Sequence, residues 1–536
     1  MKINGIMKNW AIKAFPFFLL FWNASVSGEL PGQQEPNESV SARAVLDYLA
    51  AGRADSALAL SIALVGKAPD NPFWAYLHSL ALYEHYDYGK SRDEALRSVA
   101  DLPAIPGDLR TLLLRNAQYL DTCWTILSAF REVKGDHFTF CFIHPHDSIL
   151  AGEVFDVLEG AREAMKQDLG VVPEENIRVE VYPTKGAFIT VSTLTEDEVV
   201  RTGTIALSKF NRLLFISPRV VARGYGWKET LCHEYVHYVV TRLSRNRAPI
   251  WLHEGVAHFE EVRFRQPQGN TLSALEQDLL YRARRDNKMV SFARMSPSMA
   301  KLKDAEESGT AFAEVMMAMR FIVDRAGYEG VRAVLRGCAE GHPLDSLLSR
   351  VVLKNPALSF ENAFFNYLAD QPLSPVDGVS IVHPDLSEDD EKNETFRYRK
   401  YVRLSEMLLE NHRVEAAVKE LERADSSGRN RSPWVLNAVG QLYQKNGSPE
   451  RAVEAYAKSI RLFPEYVTAY FYRGCYFAEQ GKPAEAEADF LAALDINPFH
   501  LPVRRELVAL YVKSGKKAQE KKERLILKIL ESGIKP

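Results

Sequence analysis

Residues 227–261 read WKETLCHEYVHYVVTRLSRNRAPIWLHEGVAHFEE, and this stretch combines two predicted helices with side chains suited to bind a metal ion. Its first half contains His233-Glu234-x-x-His237 within an apolar-periodic run that has no internal glycine or proline, which predicts a helix. Residues four apart lie on one face of a helix, so the imidazoles of His233 and His237 can bind a single ion. Glu234 lies beside them and can act as a base on water held there.

A second apolar run follows the break at Ser244–Pro249 and carries Glu254. A catalytic zinc ion usually takes three protein ligands and leaves one position open for water. A helix that returns past the first one would bring Glu254 to the two histidines. We therefore predict Zn²⁺ as the cofactor and Glu234 as the catalytic residue. The predicted metal ligands are His233, His237 and Glu254.

In these residues the chain resembles the gluzincins, the peptidase MA-like metallopeptidases in which HExxH is followed by a W-L-x-E-G-x-A helix that carries the glutamate ligand. Both halves are present in order, with 16 residues between His237 and Glu254. The resemblance implies an α+β zincin-like catalytic domain that hydrolyses peptide bonds. In such a domain zinc acidifies a water molecule, and Glu234 takes its proton and passes it to the leaving amine.

The same resemblance implies how a substrate is bound. An extended peptide pairs with an exposed edge strand of the sheet, which we assign to Gly203–Leu207. The aminopeptidase branch of the gluzincins carries a G-x-M-E-N strand motif, and no such motif precedes His233. An endopeptidase or a processing enzyme of narrow specificity is therefore favoured, with a protein or peptide as its substrate.

Several polar residues surround the predicted ligands. His253 and His258 are predicted to be rim or packing residues rather than ligands. Glu261 follows Glu254 by seven residues, two turns along the same helix face, and is predicted to accept a hydrogen bond from a metal-binding histidine. Tyr225 is a candidate donor to the oxyanion of the transition state.

Two other functions stay open at this point. One is an exported tetratricopeptide scaffold whose zincin domain is inactive or only structural, and the other is a zinc hydrolase that acts on a non-peptide bond. Glu234 favours catalysis over the scaffold, because a structural zinc site is closed by a fourth ligand and has no use for an adjacent base.

The composition limits the class of protein. A chain of 536 residues with 46% apolar residues can form three or four domains with sizeable cores. A net charge of −3 argues against a nucleic-acid partner, which would call for a basic face. The five cysteines are scattered and form no CxxC pair, which excludes a cysteine zinc site and a dense disulfide framework.

The N-terminus predicts export. Residues 1–28 combine lysines, a short apolar run and a group of small residues, which is the pattern of a signal peptide. The apolar run is much shorter than the roughly 20 residues that span a bilayer, although an uncleaved anchor is the alternative. We therefore expect a secreted or periplasmic protein with no stable membrane span after cleavage.

Helical repeats are predicted on both sides of the catalytic domain. Residues 37–132 read as a helical repeat-like domain, with plain helical packing as the alternative, and residues 136–370 as the zincin-like domain. Residues 371–395 are rich in proline and then acidic, which predicts a linker.

Residues 396–536 predict a tetratricopeptide repeat domain. Five pairs of similar residues lie 34 apart, the period of that repeat: Gly440 and Gly474, Gly447 and Gly481, Ala452 and Ala486, Tyr456 and Phe490, Pro464 and Pro498. Such helices recruit a substrate or a partner protein through a concave surface. The expected fold is an α+β zincin-like catalytic domain flanked by all-α tetratricopeptide-type helical repeats.

Overall fold

The computed structural model describes residues 36–100, 107–221, 224–296, 302–379, 403–423 and 433–532, with the single residues 299, 381 and 401 between them. The predicted signal peptide and residues 382–395 of the predicted linker lie outside this part of the chain. The described residues form an N-terminal group of helices, a central part with a five-stranded sheet, and a C-terminal series of helix pairs. Within these ranges no helix has both the length and the apolarity needed to cross a bilayer.

Among the described residues, five helices precede the sheet: α1 (Pro36–Ala50), α2 (Ala54–Lys67), α3 (Pro72–Glu84), α4 (Tyr88–Arg97) and α5 (Gly107–Leu127). The first four form two helix pairs in the region predicted to be repeat-like. The chain turns between α1 and α2 at Gly52, whose φ of +69° favours glycine. Ala42, Leu77 and Leu113 are fully buried in the apolar core between these helices.

The central sheet has the strand order β1-β2-β3-β5-β4. Its strands are β1 (Arg131–Lys134), β2 (Phe138–Phe142), β3 (Ile177–Tyr182), β4 (Ala206–Lys209) and β5 (Arg212–Ile216). Strands β2, β3 and β5 run parallel and are buried along their whole length, whereas β1 and β4 are antiparallel edges. Strands covered on both faces are nearly continuous apolar runs, which explains sequences such as FTFCF and RLLFI.

The structure corrects the predicted edge strand. The prediction that Gly203–Leu207 is the edge strand is wrong at its start, because β4 begins only at Ala206. The preceding residues form a helix that a capping box between Thr195 and Glu198 initiates, and Gly203 ends this helix with a φ of +68°. Strand β1 escapes sequence analysis because its four residues, REVK, are all exposed and show no apolar alternation.

The central part contains nine helices among its described residues: α6 (Ala151–Leu169), α7 (Lys185–Ser192), α8 (Glu196–Thr202), α9 (Trp227–Ser244), α10 (Ile250–Glu260), α11 (Ala274–Arg285), α12 (Ala305–Ala339), α13 (Leu344–Val351) and α14 (Phe360–Ala369). Helix α9, which carries the HExxH motif, packs against β4, β5, α6, α10 and α12. Tyr235, Val236 and Val239 of this helix are fully buried. Gly327, with a φ of +61°, kinks α12.

A buried charge network joins the N-terminal helices to the sheet. Arg212 of β5 and Glu180 of β3 are both fully buried and form an ion pair of 2.9 Å. Arg212 also donates to the hydroxyl of Tyr83 at 2.8 Å, and Tyr88 donates to Glu180 at 2.5 Å. Since a buried charge is stable only when paired and hydrogen-bonded, these contacts fix the N-terminal helices on the sheet.

The C-terminal helices repeat one packing contact with the predicted period. They comprise the helical residues 403–410 followed by α15 (Val414–Glu422), α16 (Pro433–Lys445), α17 (Pro449–Leu462), α18 (Val467–Glu479), α19 (Pro483–Ile496), α20 (Leu501–Ser514) and α21 (Lys517–Glu531). A Cβ at Gly440 would lie 2.4 Å from the ring of Tyr456, and one at Gly474 would lie 2.7 Å from the ring of Phe490. Three glycines spaced 34 apart, with φ of +68° or +69°, turn the chain within a pair: Gly447, Gly481 and Gly515.

The helix pairs contact the residues that lead into α9. The backbone N–H of Tyr225 donates to the carbonyl of Ile496 at 3.2 Å. Lys228, in the first turn of α9, bonds to Asp495 at 2.5 Å and to Glu153 at 2.8 Å. The C-terminal stack therefore packs directly on the start of the motif helix.

Glu314 is expected to make stability fall as pH rises. Its carboxylate is fully buried in α12 and accepts from the backbone N–H of Val290 at 3.0 Å. Burial raises the pKa of Glu314 to about 8, and the Val290 hydrogen bond opposes this only in part. The folded-state pKa lies above the ordinary 4.5, so between pH 4.5 and 8 the folded protein binds more protons at Glu314 than the unfolded chain does. The free energy of unfolding therefore falls as pH rises through this range, by at most about 1.4 kcal/mol per pH unit.

The Glu314→Gln variant keeps an acceptor oxygen and removes this titration. We expect its unfolding midpoint, measured from pH 5 to pH 8.5, to fall less than that of the wild type. Glu306→Gln, at an exposed position in the same helix, is the matched control. Parallel pH profiles for wild type and Glu314→Gln would contradict the prediction.

Candidate metal centre

The structure brings the three predicted ligands together. His233 and His237 lie on one face of α9, with ring centroids 4.6 Å apart. Glu254 of α10 faces both, with Oε2 3.4 Å from Nε2 of His233 and 3.5 Å from Nε2 of His237. The i, i+4 spacing places the histidines, and the packing of α10 against α9 places the carboxylate.

These distances fit a tetrahedral zinc ion. Zinc bonds to nitrogen and oxygen of about 2.0–2.1 Å imply ligand atoms about 3.3–3.4 Å apart in a tetrahedron. The ligand atoms of His233, His237 and Glu254 all lie within 4.8 Å of one another. The two distances from Glu254 to the histidine nitrogens, 3.4 and 3.5 Å, are close to the tetrahedral value. Two imidazoles and a carboxylate are also the donor types that catalytic zinc takes. The residues therefore fit the predicted cofactor.

The charges in the cluster compensate one another. Burial would lower the pKa of His233, but the carboxylates of Glu254 and Glu261 raise it to about 10. Burial would also raise the pKa of Glu254, yet His237 and His233 hold it well below its usual range. The site thus keeps an ionised carboxylate ready to bind a cation.

Glu234 lies beside the ligands and is nearly buried, with 9% of its surface exposed. Burial raises the pKa of its carboxyl, and His237 and His233 oppose the rise. The backbone of Ser208 in β4 lowers this pKa as well, and α9 packs against that strand. The base predicted from the sequence therefore lies between the metal ligands and the edge strand of the sheet.

A hydrogen-bonded layer surrounds the ligands. Glu261 accepts from Nδ1 of His233 at 2.9 Å, the contact that its position on the helix predicts. Its other oxygen lies 2.8 Å from Nδ1 of His258 and 2.7 Å from the side-chain nitrogen of Asn270. Because one nitrogen of His233 is occupied in this way, Nε2 is left for the metal. Sequence analysis missed Asn270 and the role of His258.

The remaining candidates lie outside the ligand set. His253 is 7% exposed, and its ring centroid lies 5.9 Å from that of His237. The prediction that Tyr225 donates to an oxyanion is wrong, because its buried hydroxyl donates to the carbonyl of Ile216. Phe312 packs edge-on near His258, with centroids 6.5 Å apart.

Gly255, next to the ligand Glu254, allows α10 and α12 to approach closely. A Cβ at this position would lie 2.8 Å from the carbonyl oxygen of Val315. Gly255→Ala is therefore expected to lower the free energy of unfolding by about 1–3 kcal/mol, the usual cost of overpacking. Chemical denaturation measures the change. Gly152→Ala, where a Cβ meets nothing within 4 Å, is the control, and equal stability of the two variants would contradict the prediction.

Comparison with known proteins bears on the C-terminal helices. Residues 438–500 match the tetratricopeptide repeat family. This match confirms the predicted repeats in that stretch, and the 34-residue spacing of the packing contacts agrees with it. No curated protein matches the sequence.

Solved structures show weak likenesses to parts of the chain or to most of it. The crystal structure of MamA shares 15% identity, with 27% of this chain and 81% of that one covered and a TM-score of 0.20. Native yeast LTA4 hydrolase shares 11%, with coverages of 74% and 66% and a TM-score of 0.29. Yeast Tom70 shares 12%, with coverages of 89% and 91% and a TM-score of 0.20. At TM-scores below 0.5, none of these likenesses carries an argument.

Proposed function

We propose that the protein is an exported zinc-dependent peptidase, an endopeptidase of the gluzincin type, in which Glu234 is the general base. The observation that carries the proposal is the convergence of His233, His237 and Glu254 around a space that one zinc ion fits, with Glu234 beside it. Among the described residues this group has three members, so the fourth position is left to water or substrate. A structural zinc site would be closed by a fourth ligand.

The residues divide the chemistry between them. Bound zinc would supply a Lewis acid that acidifies a water molecule and polarises the substrate carbonyl. Glu234 accepts the proton of the attacking water, and its raised pKa makes it a stronger base than an exposed glutamate. It then returns the proton to the amine of the leaving peptide. Glu261 orients His233 throughout.

Strand β4 is the proposed substrate-binding edge. It pairs with β5 on one side and forms the outer edge of the described sheet on the other. It also packs against α9, and the backbone of Ser208 lowers the pKa of Glu234. A peptide that adds to this edge as an extended strand would run directly past the base. Binding through backbone groups suits an internal segment of a chain, as an endopeptidase requires.

The second candidate function is a tetratricopeptide scaffold with an inactive or structural zincin domain. The family match to residues 438–500 favours it, and it supports protein binding more directly than it supports hydrolysis. The two functions share the repeats, which recruit a protein partner in either case. They differ in whether Glu234 acts as a general base in peptide hydrolysis.

Incubating the purified protein and its Glu234→Gln variant with a denatured peptide library tests the proposal. New termini identified by mass spectrometry, present with the wild type and absent with the variant, would support the peptidase. Equal patterns, or no cleavage by a zinc-loaded wild type, would favour the scaffold. Mass analysis of the N-terminus of the exported protein tests cleavage after residue 28.

A further inference from the structure

His258 lies between two carboxylates that come from different helices. Its Nδ1 is 2.8 Å from Oε1 of Glu261, and its Nε2 is 2.5 Å from Oε1 of Glu276. The three side chains are only 15–16% exposed. In the described part of the chain, Glu276 forms an ion pair with His258. Glu261 forms ion pairs with two histidines, His258 and the predicted ligand His233.

This geometry assigns the charge of His258. An imidazole donates a hydrogen bond from both nitrogens only when it is the cation. Burial would raise the pKa of Glu276, yet His258 keeps it below its ordinary value. Both carboxylates are thus acceptors, and a positive charge lies between two negative ones.

The same contacts form a continuous chain that begins at the metal centre. The chain runs from His233 through Glu261 and His258 to Glu276 at the start of α11. Glu276 is itself fixed by Ser273, whose hydroxyl and backbone N–H donate to Oε2 at 2.7 and 2.8 Å. Each group holds the next in one orientation, because every acceptor oxygen has a partner.

We propose that His258, held as a cation by Glu276, is a positioning residue of the metal centre: it fixes Glu261 so that this carboxylate orients His233 for metal binding. Without the imidazolium, Glu261 and Glu276 would be two largely buried carboxylates with no cation between them, and among the described residues Oε1 of Glu261 would keep only Asn270 as a partner. The inference rests on the metal centre of the proposed function. The competing interpretation is an ion pair that only joins α10 to α11.

Zinc affinity separates the two interpretations. The dissociation constant for Zn²⁺ is measured by competition with a chromophoric chelator on the full chain, together with thermal unfolding of the metal-free protein. We expect His258→Gln to weaken zinc binding by about 10–100-fold, the usual effect of losing a group that supports a ligand. Glu276→Gln keeps an acceptor for Nε2 and removes one charge, so it should act in the same direction but more weakly.

His85→Gln is the matched control. His85 also pairs with a carboxylate, its Nε2 being 3.2 Å from Asp55, but its side chain is 46% exposed and belongs to the N-terminal helices. The same substitution there should leave zinc affinity unchanged. If His258→Gln fails to fold, the zinc affinity of Glu276→Gln is compared with that of the wild type instead.

Three results would overturn the inference. A His258→Gln variant that unfolds at a lower temperature but binds zinc within twofold of the wild type would show that the contact is only an ion pair between helices. Two zinc equivalents in the wild type, with one lost in the variant, would place a second ion on His258 and Glu261. A wild type that binds no zinc would overturn the proposed function as well. Failure of the inference alone is distinguishable from this result, because the wild type then still binds zinc.

Discussion

The Glu234→Gln variant is expected to hydrolyse peptides roughly 10²–10⁴ times more slowly than the wild type while it still binds zinc, because a general base contributes a factor of this size. Glu234 is nearly buried, and burial raises the pKa of its carboxyl against the opposing effect of His237 and His233. Glutamine has almost the same shape as glutamate, but its amide cannot take a proton from water. The substitution therefore removes the chemistry and keeps the geometry.

Two measurements make this test specific. The kcat is followed on a peptide found in the library digest, and zinc content is determined on the same preparation. Glu229→Gln is the control, since Glu229 lies on the same helix but pairs with Arg265 rather than facing the ligands. A Glu234→Gln variant that cleaves within threefold of the wild type would exclude Glu234 as the base.

The metal ligands could be predicted from the sequence because their placement is mainly local. The i, i+4 spacing puts His233 and His237 on one face of any helix, and the second half of the motif supplies Glu254 on the next one. Apart from Glu261, the residues around the ligands were not predictable in the same way. Glu276 reaches His258 from α11, after a loop whose path no local pattern determines. The Ser273–Glu276 capping box indicates a helix start, but not what that helix faces.

In the fold, too, local sequence patterns predict some parts, whereas others depend on contacts between distant residues. The 34-residue period predicts the C-terminal helix pairs, and the family match at residues 438–500 confirms this stretch. The runs FTFCF of β2 and RLLFI of β5 suit strands that are covered on both faces. The docking of the N-terminal helices depends instead on Arg212 and Glu180, two charged strand residues that are fully buried in the structure. Their burial requires partners from distant helices, which a sequence pattern cannot supply.

The His237→Ala variant is expected to lose both hydrolysis and zinc-dependent stabilisation. Zinc that binds only the folded state at 100 times its dissociation constant stabilises that state by about 2.7 kcal/mol. For a unit the size of the central part, this corresponds to a rise in the unfolding midpoint of about 5–10 °C. Adding a chelator should therefore lower the midpoint of the wild type by this amount and leave that of His237→Ala unchanged. Differential scanning calorimetry measures both.

The chelator separates a metal site from a simple ion-pair cluster. Oε2 of Glu254 lies 3.4 Å from Nε2 of His233 and 3.5 Å from Nε2 of His237, and ion pairs of this kind alone could hold α9 against α10. In that case His237→Ala would destabilise the protein whether or not zinc is present, and the chelator would not affect the wild type. If a metal is the main link, the wild type in chelator and the variant should instead unfold at similar temperatures. The difference between these two patterns is independent of any substrate, so it tests the metal centre even before a cleavable peptide is known.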